Sequence, residues 1–544
     1  MSIRSLFLPA LLLGLLAAAC DSASTPATSG GGGGGGGGGD AEPLVITTDK
    51  GPVEGSLTGS TRAFLGIPYA APPVGELRWK PPAPAAAWTD PLKATKPGRP
   101  CPQLSILTGA VDTTSGEDCL TLNVWTPSII DGSPPPVLVW IHGGAFILGS
   151  GGDPSYSGQA LSEATGAIVV TLNYRLGPLG FLAHPALKSE DPNHPSSGGY
   201  GLEDQRAALA WVKENIAAFG GDPARVTIFG ESAGGMSVCM HMVSPPSKGL
   251  YQRAIIESGP CDRGTPETDA FAQAAQFVTA LGCDMAAGDA ETLACLREKP
   301  VDQILLALPT SNDLIFGDGA NWFPVFDGWN LPDAPAKLIA SGSFEKVPVI
   351  LGSNADEGTL FFQLGGTMIP DDTALEALVE KMVPGKGPDV LMHYSTATHG
   401  TAQAAAMAMV GDAGFVCPTR RMARSFSKGG AGTYLYHFTY SPPGALLGDL
   451  GAFHSAEIKY VFGMPSQLLP QQLTADELTL SAAMMGYWSR FAAAGDPNGG
   501  EAAPWPKYSA DKDENIVFNA TISTQTGLKK DLCDFWDGLG QAMP

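Results

Sequence analysis

The segment Val226-Thr227-Ile228-Phe229-Gly230-Glu231-Ser232-Ala233-Gly234 decides the fold of this 544-residue chain. Its first four residues form an apolar, β-branched run that is typical of a buried strand, and the residues after Gly234 favour the start of a helix. A serine between two glycines at such a junction indicates a sharp turn that exposes the hydroxyl group. A Gly-x-Ser-x-Gly pentapeptide alone is weak evidence in a chain with 69 glycines, so the interpretation depends on this strand-turn-helix context.

Further apolar runs lie on both sides of this segment. Short runs bounded by turn residues are typical of strands that are buried on both faces of a parallel sheet. The clearest helix candidate extends from Leu202 to Phe219 and ends at a Gly-Gly-Asp-Pro stop signal. Strands that alternate with helices predict an α/β fold with a large, mostly parallel central sheet and helices on both faces. The strand candidates are 137–141, 167–172, 226–229, 347–351 and 433–438.

The N-terminal residues have the composition of an export signal followed by a linker. Residues 1–20 combine a basic start, an apolar run and three alanines before Cys20, which predicts a lipoprotein signal peptide with Cys20 as the lipidated residue. An ordinary Ala-x-Ala cleavage site, in which Cys20 has no role, is the alternative. Residues 21–42 are rich in Ser, Thr and Gly and are predicted to form a flexible tether. A single catalytic domain is predicted over 43–544, exported to the bacterial cell envelope and facing the periplasm or the cell surface.

The net charge of the chain limits the kinds of molecule that it is expected to bind. A formal net charge of -22 disfavours binding to nucleic acid or to anionic lipid headgroups. No apolar stretch after the signal peptide reaches the roughly 20 residues that a membrane-spanning helix needs, so membrane contact is expected only through the lipid anchor. The expected partner is therefore a small molecule, and neither a cofactor nor a metal is expected.

A nucleophilic Ser232 needs a base that removes its proton and an acid that orients the base. Among the eight histidines, His454 lies in a glycine-led loop before a helical pattern, where its side chain can project into a cleft. His454 and Glu457 also have the spacing of two metal ligands on one helical turn, but no further His or Cys cluster supports a metal site. The sequence therefore favours His454 as the base.

A second glycine loop is the candidate for stabilising the oxyanion of an acyl-transfer reaction. The segment His142-Gly143-Gly144-Ala145-Phe146 follows the strand candidate 137–141 at its carboxyl end. Glycines at this position let successive N–H groups point at the reacting carbonyl, and each such donor contributes about 3 to 4 kcal/mol in other enzymes. A plain glycine turn is the alternative interpretation.

Taken together, these motifs resemble the type-B carboxylesterase and cholinesterase family of the α/β-hydrolase fold. The resemblance extends over nearly the whole body of the chain, from about Val45 to Trp536. Four further signatures stand in family order, namely Phe64-Leu65-Gly66-Ile67-Pro68-Tyr69-Ala70, Glu117-Asp118-Cys119-Leu120-Thr121-Leu122-Asn123-Val124, Asn173-Tyr174-Arg175-Leu176-Gly177 and Ala218-Phe219-Gly220-Gly221-Asp222-Pro223.

The resemblance implies the roles of the individual site residues. Chemistry alone does not separate Asp356 from Glu357, but the family's acid is the glutamate of an Asp-Glu-Gly stretch, which selects Glu357. The implied triad Ser232, Glu357 and His454 has the chain order of the fold. The implied oxyanion donors are the amides of Gly144, Ala145 and Ala233. Ala145 replaces a glycine found in many members, and the hole is expected to survive because the amide, not the side chain, donates.

The resemblance also implies a disulfide framework. Eight cysteines remain after Cys20, and an exported chain can form disulfides. The implied pairs are Cys101 with Cys119, Cys283 with Cys295, and Cys417 with Cys533. Cys239 and Cys261 are then expected to remain unpaired, one as a buried thiol and one as a loop thiol.

The implied activity is hydrolysis of uncharged carboxylic esters through an acyl-enzyme. The loop between Cys101 and Cys119 contains no aromatic residue, whereas cholinesterases have a tryptophan there that holds choline. Ala320 aligns with a bulky aromatic residue of cholinesterases, so acyl groups larger than acetyl are expected to fit. The alternatives are a catalytically silent ligand-binding or adhesion member of the fold, and a lipase or polyester hydrolase.

Overall fold

A computed structural model describes residues 42–105, 108–309 and 319–540 of the chain. The predicted signal peptide, Cys20 and all but the last residue of the predicted tether lie outside the described residues. The strands are β1 (Val45–Thr47), β2 (Pro52–Glu54), β3 (Ser56–Thr58), β4 (Thr61–Pro68), β5 (Leu92–Lys93), β6 (Thr121–Pro127), β7 (Val137–Ile141), β8 (Ile168–Leu172), β9 (Val226–Glu231), β10 (Arg253–Glu257), β11 (Thr265–Pro266), β12 (Val325–Phe326), β13 (Val349–Asn354), β14 (Thr433–Phe438), β15 (Glu514–Phe518) and β16 (Ser523–Thr526).

Helices occupy most of the segments between these strands. They are α1 (Gln159–Thr165), α2 (Gly177–Phe181), α3 (Pro185–Glu190), α4 (Tyr200–Asn215), α5 (Ala233–Val243), α6 (Glu267–Ala280), α7 (Asp289–Glu298), α8 (Val301–Leu306), α9 (Pro335–Ala340), α10 (Glu357–Gly365), α11 (Asp372–Met382), α12 (Gly387–Leu391), α13 (Thr396–His399), α14 (Ala402–Gly411), α15 (Cys417–Lys428), α16 (Ile458–Phe462), α17 (Ala475–Ala494) and α18 (Lys530–Leu539). A π-helical turn, Asp412–Val416, joins α14 to α15.

Eleven of the described strands form one central sheet in the order β16-β15-β14-β13-β10-β9-β7-β8-β6-β4-β3. The strands from β15 to β8 pair in parallel, and the pairs at the two edges are antiparallel. The predicted α/β architecture with a large, mostly parallel sheet is confirmed. Because parallel strands point the same way, the carboxyl ends of β7, β9, β13 and β14 lie at one edge of the sheet, which is where ligands bind in such folds.

Apolar cores cover both faces of the sheet. In β7, Val137 and Val139 belong to the core on one face, whereas Leu138 and Trp140 belong to the core on the other. Such alternation follows from the two-residue period of a strand, and it explains why the strand is a continuous apolar run. Every residue of β7 through β9 that pairs in the sheet is buried.

The helix predicted over 202–219 appears in two parts. α4 ends at Asn215, and Ile216–Phe219 continues as a 3-10 turn. Gly220 follows with φ 92°, the left-handed conformation in which a glycine commonly ends a helix. Among the described residues, no helix is long and apolar enough to cross a membrane.

The structure contains four disulfides within its described residues. Three are the pairs implied by the family resemblance, namely Cys101–Cys119, Cys283–Cys295 and Cys417–Cys533.

The fourth disulfide joins Cys239 to Cys261, so the expectation that these two residues remain unpaired is wrong. Cys239 lies on α5, and Cys261 follows β10, against which that helix packs. The packing brings the two Cα atoms to 5.6 Å, a separation that a disulfide spans. Sequence spacing does not reveal this proximity because it results from the packing of a helix on the neighbouring strand.

Candidate active site

Ser232 lies at a strained turn between β9 and α5. Its backbone has φ 56°, which a non-glycine residue adopts only when the surrounding structure enforces it. Two glycines allow the turn, because a Cβ atom on Gly234 would overlap the carbonyl oxygen of Ile141 and one on Gly230 would lie 2.6 Å from the Gly234 carbonyl carbon. The Ser232 amide donates to the carbonyl of Glu257 at 2.9 Å. The turn therefore has the geometry of a nucleophile elbow.

Glu357 and His454 form a buried hydrogen-bonded pair. Nδ1 of His454 lies 2.6 Å from Oε2 of Glu357, whose side chain is fully buried at the start of α10. The other carboxylate oxygen, Oε1, accepts from Ser258 Oγ at 2.6 Å and from the Asn354 amide at 2.8 Å. These bonds fix the carboxylate, which in turn fixes the orientation of the imidazole.

Asp356, the competing carboxylate, has a different partner. Its Oδ2 accepts from the backbone amide of Ala452 at 2.8 Å, and its backbone amide donates to the carbonyl of the same residue at 3.0 Å. These bonds attach the end of β13 to the loop that carries His454. The geometry thus separates the two neighbouring acids: Glu357 contacts the imidazole, and Asp356 holds the loop.

The second imidazole nitrogen of His454 faces the elbow. Nε2 lies 3.1 Å from Oε1 of Glu231, the residue before Ser232, but the contact lacks hydrogen-bond geometry. Within the described residues Nε2 makes no hydrogen bond, including none to Ser232 Oγ. Hydrogen bonds of a catalytic base are often long or misaligned until substrate binds. The described residues thus leave Nε2 without a hydrogen-bond partner beside the turn that carries Ser232.

Two phenylalanines cover the imidazole of His454. The ring centroids of Phe361 and Phe415 lie 4.9 and 4.8 Å from that of His454, and the two phenyl rings stack on each other at 5.4 Å. Phe361 belongs to α10, and Phe415 belongs to the π-helical turn Asp412–Val416. Single π-helical turns often occur at functional sites, and this one presents a ring to the candidate base.

Three further carboxyl groups are buried around this pair, those of Glu231, Glu257 and Glu457. Burial is the main cause that raises the pKa of each group, and repulsion among neighbouring glutamates adds to it. The pKa of Glu457 rises to about 8. Asn354 Nδ2 donates to Glu457 at 2.5 Å, and Trp488 Nε1 donates to Glu257 at 2.8 Å. At neutral pH the Glu457 carboxyl group therefore favours the protonated form.

Sequence analysis assigned no role to these three glutamates. The available signal is weak: Glu231 and Glu257 each end an apolar strand, where a carboxylate is unusual, and the spacing of Glu457 from His454 suggests only a metal ligand. In the structure, Glu457 belongs to the buried cluster beside Glu357. Among the described residues, no group of three or more His, Cys, Asp or Glu side chains is arranged to hold a metal ion.

The glycine loop after β7 lies directly against the elbow. A Cβ atom on Gly143 would lie 3.2 Å from the Cβ atom of Ser232. Gly144 and Ala145 have φ values of 105° and 52°, and within the described residues their amides donate no hydrogen bond. The predicted third donor, Ala233, is the first residue of α5, where a backbone amide has no partner in its own helix.

Tyr174, two residues after the end of β8, holds this loop in place. Its hydroxyl donates to the carbonyl of His142 at 2.9 Å, and its ring stacks on the His142 imidazole at 4.4 Å. Burial lowers the pKa of His142 to about 4, so this imidazole is neutral at neutral pH. His142 is therefore a structural residue of the loop.

A cavity of about 510 Å³ opens beside the glycine loop and is lined by Gly143, Gly144 and Ser455. Much of the rest of its lining is polar, including the side chains of Gln103, Asp112, Asp153 and Gln467. On another side of the loop, Phe323 packs edge-on against Phe146 with ring centroids 5.6 Å apart. Ala320 is half-buried and packs against the main core.

A strained serine between strand and helix, beside an imidazole bonded to a buried glutamate, defines the class of serine hydrolases built on an α/β sheet. The model of the carboxylesterase family matches residues 42–536. The chain belongs to this family, and it is a carboxylic ester hydrolase.

Known relatives support the same assignment. The para-nitrobenzyl esterase of Bacillus subtilis (strain 168) is 37% identical over 492 residues, which cover 88% of this chain and 96% of that protein. A solved PNB esterase structure matches with a TM-score of 0.77 at 35% identity, and a thermophilic PNB esterase with 0.78 at 34% identity. Both matches cover 91% of this chain and 99% of the other. The predicted α/β-hydrolase fold is confirmed.

Proposed function

We propose that the ester hydrolase activity uses Ser232 as the nucleophile, His454 as the general base and Glu357 as the acid that orients the imidazole. The observation that carries this proposal is the 2.6 Å bond between His454 Nδ1 and Glu357, which leaves Nε2 facing the elbow. His454 accepts the Ser232 proton as the hydroxyl attacks the ester carbonyl, and then protonates the leaving alcohol. Water hydrolyses the acyl-enzyme in the second half of the reaction.

The oxyanion of each tetrahedral intermediate would accept hydrogen bonds from the amides of Gly144, Ala145 and Ala233. The uncommitted amides of Gly144 and Ala145 beside Ser232 support this assignment. Such donors stabilise the transition state because they are fixed before the charge develops, and the loss of one costs about 3 to 4 kcal/mol.

The proposed substrates are uncharged carboxylic esters whose alcohols are small and can lie against polar side chains. The leaving alcohol would lie on the side of His454, and Ser455 lines the polar cavity there. The name of the Bacillus subtilis relative refers to a para-nitrobenzyl ester, which is such an uncharged ester. The absence of an aromatic residue between Cys101 and Cys119 disfavours choline esters.

Hydrolysis of a p-nitrophenyl ester series from acetate to palmitate tests the proposal. We expect Ser232→Ala to abolish hydrolysis across the series, whereas Ser341→Ala, at an exposed serine of α9's C-terminus, leaves the rates unchanged. Equal rates in Ser232→Ala and wild type would overturn the mechanism. The chain-length profile separates the esterase from a lipase, since a lipase would favour the long acyl chains. Inactive wild-type protein would favour the silent member of the fold.

We also propose that the enzyme is an exported lipoprotein of the cell envelope. The alanines before Cys20 and the Ser, Thr and Gly-rich composition of 21–42 support this localisation. Lipidation of Cys20 would attach the catalytic domain to a membrane through the tether. The domain would then encounter its esters in the periplasm or at the cell surface.

A further inference from the structure

Arg263 carries a positive charge near the active site, and among the described residues its nearest anion is the adjacent Asp262, which is itself paired with Arg421. The residue is half-buried, and its Nη2 atom is shielded from solvent without a hydrogen-bond partner. Its side chain makes no ion pair with any described residue. Other shielded arginines of this chain differ: Arg175 pairs with Asp204 at 2.7 Å, and Arg297 pairs with Glu190 at 2.7 Å. Arg62, Arg253 and Arg490 also lack an ion pair, but each donates to a backbone carbonyl, whereas the Arg263 side chain makes no hydrogen bond with any described residue.

Such a charge is costly to bury. An ion that loses part of its hydration without gaining a partner destabilises the folded state. The guanidinium of Arg263 lies 5.8 Å from the ring centroid of Phe415, and a cation-π contact of this kind offsets only part of that cost. Burial lowers the pKa of Arg263, but an arginine remains protonated at neutral pH. The charged guanidinium is therefore available to bind an anion.

Contacts on both sides hold Arg263 in position. The preceding Cys261 is bonded to Cys239 on α5, and Asp262 forms an ion pair with Arg421 at 2.8 Å. After it, the amide of Thr265 donates to the carbonyl of Pro324 at 3.0 Å. These contacts fix the backbone on both sides of Arg263, which lowers the entropic cost of binding a ligand at this position.

The position of Arg263 relates it to the acyl part of the substrate. Phe415 contacts both the guanidinium of Arg263 and the imidazole of His454. β11 pairs with β12, which follows Phe323 at the loop of the oxyanion amides. Neither Arg263 nor Phe415 lines the polar cavity beside Ser455, on the side assigned to the alcohol.

We propose that Arg263 binds a carboxylate at the far end of the acyl group, so that the enzyme also hydrolyses half-esters of dicarboxylic acids. This inference rests on the proposed function of Ser232. A guanidinium binds a carboxylate through two parallel charge-assisted hydrogen bonds. Water adds its hydroxyl to the acyl carbon and its proton to the alcohol, releasing the dicarboxylic acid. A local cation is required because the chain's net charge of -22 repels an anionic substrate.

The test compares the monomethyl and dimethyl esters of succinic, adipic and suberic acid. Each pair has the same acyl length, but only the monomethyl ester is an anion at neutral pH. We expect Arg263→Gln to raise KM for the best monomethyl ester by about 10- to 100-fold, which corresponds to one lost charge-assisted pair. Its kcat and the kinetics of the dimethyl ester should remain within about two-fold, and Arg263→Lys should restore part of the loss.

Arg225→Gln is the matched control for the loss of one positive charge. Arg225 is paired with Asp222 and lies before β9, at the opposite end of the strand from Ser232. This variant should retain the wild-type preference. Equal effects of Arg263→Gln on both esters, with an unchanged thermal unfolding midpoint, would overturn the proposal. Wild type that hydrolyses only the dimethyl esters would also overturn the proposal. If Ser232→Ala hydrolyses the dimethyl esters at the wild-type rate, the proposed function is overturned instead.

Discussion

The side chain of Glu357 is held in one orientation, because its two carboxylate oxygens accept hydrogen bonds from His454, Ser258 and the backbone amide of Asn354. Glu357→Gln should lower kcat for p-nitrophenyl butyrate by about 10³- to 10⁴-fold, because an amide in this place favours the wrong imidazole tautomer. Asp356→Asn is the matched control and should retain activity, since an amide oxygen can still accept from Ala452. Comparable losses in the two variants would contradict the assignment of the acid.

The buried Glu457 couples the stability of the fold to pH. Its pKa of about 8 lies above its ordinary value of 4.5, so the folded state binds the extra proton. The free energy of unfolding should therefore fall as the pH rises from about 4.5 through 8, by at most about 1.4 kcal/mol per pH unit. Urea unfolding between pH 5 and 9 measures this slope.

Glu457→Gln should flatten the slope. Glutamine carries no titrating proton, and its oxygen can still accept from Asn354. Glu76→Gln, at an exposed glutamate, is the control and should retain the wild-type slope. If Glu457→Gln shows the wild-type dependence on pH, the proton is held elsewhere in the cluster.

At this scale the sequence predicted a serine and a histidine that the structure brings close together, but not the full set of buried acids around them. The glycines beside Ser232 allow the sharp turn between strand and helix, and His454 lies in a loop from which its side chain can project into a cleft. Chemistry alone left Asp356 and Glu357 equivalent, and it takes the partner of each carboxylate to separate them. The positions of Glu257 and Arg263 depend on packing between distant segments, which no local pattern encodes.

The elbow is an element whose glycines are required by contact. Gly234→Ala would place a Cβ atom against the carbonyl oxygen of Ile141, so we expect a loss of at least about 3 kcal/mol of stability together with activity. Gly538→Ala is the opposite case, since a Cβ atom there meets nothing within 4 Å inside α18. That change should raise stability by up to about 1 kcal/mol. Thermal unfolding of both variants checks the pair, and equal behaviour would contradict the packing of the turn.

Strands were easier to predict from sequence than the turns between elements. The runs 137–141 and 433–438 became β7 and β14 without change, because burial on both faces demands unbroken apolar residues. β9 continues through Gly230 and Glu231, beyond the predicted strand, since these residues pair with Ile256 and Glu257 of β10. The π-helical turn that carries Phe415 continues α14 directly into α15, and the sequence analysis predicted no element there.

For the molecule as a whole, Cys20→Ser should release the enzyme from membranes into the soluble fraction. A thioether-linked lipid at this residue is the proposed contact with the bilayer. Fractionation of cells expressing wild type and variant, assayed by ester hydrolysis, measures the shift. Ser22→Ala, two residues along the chain, is the control and should leave the enzyme in the membrane fraction. If Cys20→Ser and wild type distribute between the membrane and soluble fractions in the same way, the alternative of an ordinary cleavage site, in which Cys20 has no role, is favoured.

The disulfide between Cys417 and Cys533 also determines whether the enzyme separates into two pieces after a single cleavage of its backbone. It spans 116 residues that include β14, His454 and α17. Leu446 is 65% exposed in the loop before His454, a suitable place for a protease to cut. After one such cut the fragment bearing His454 would remain covalently joined to the fragment bearing Ser232. A nicked molecule would thus migrate as an intact chain until a reducing agent separates its two pieces.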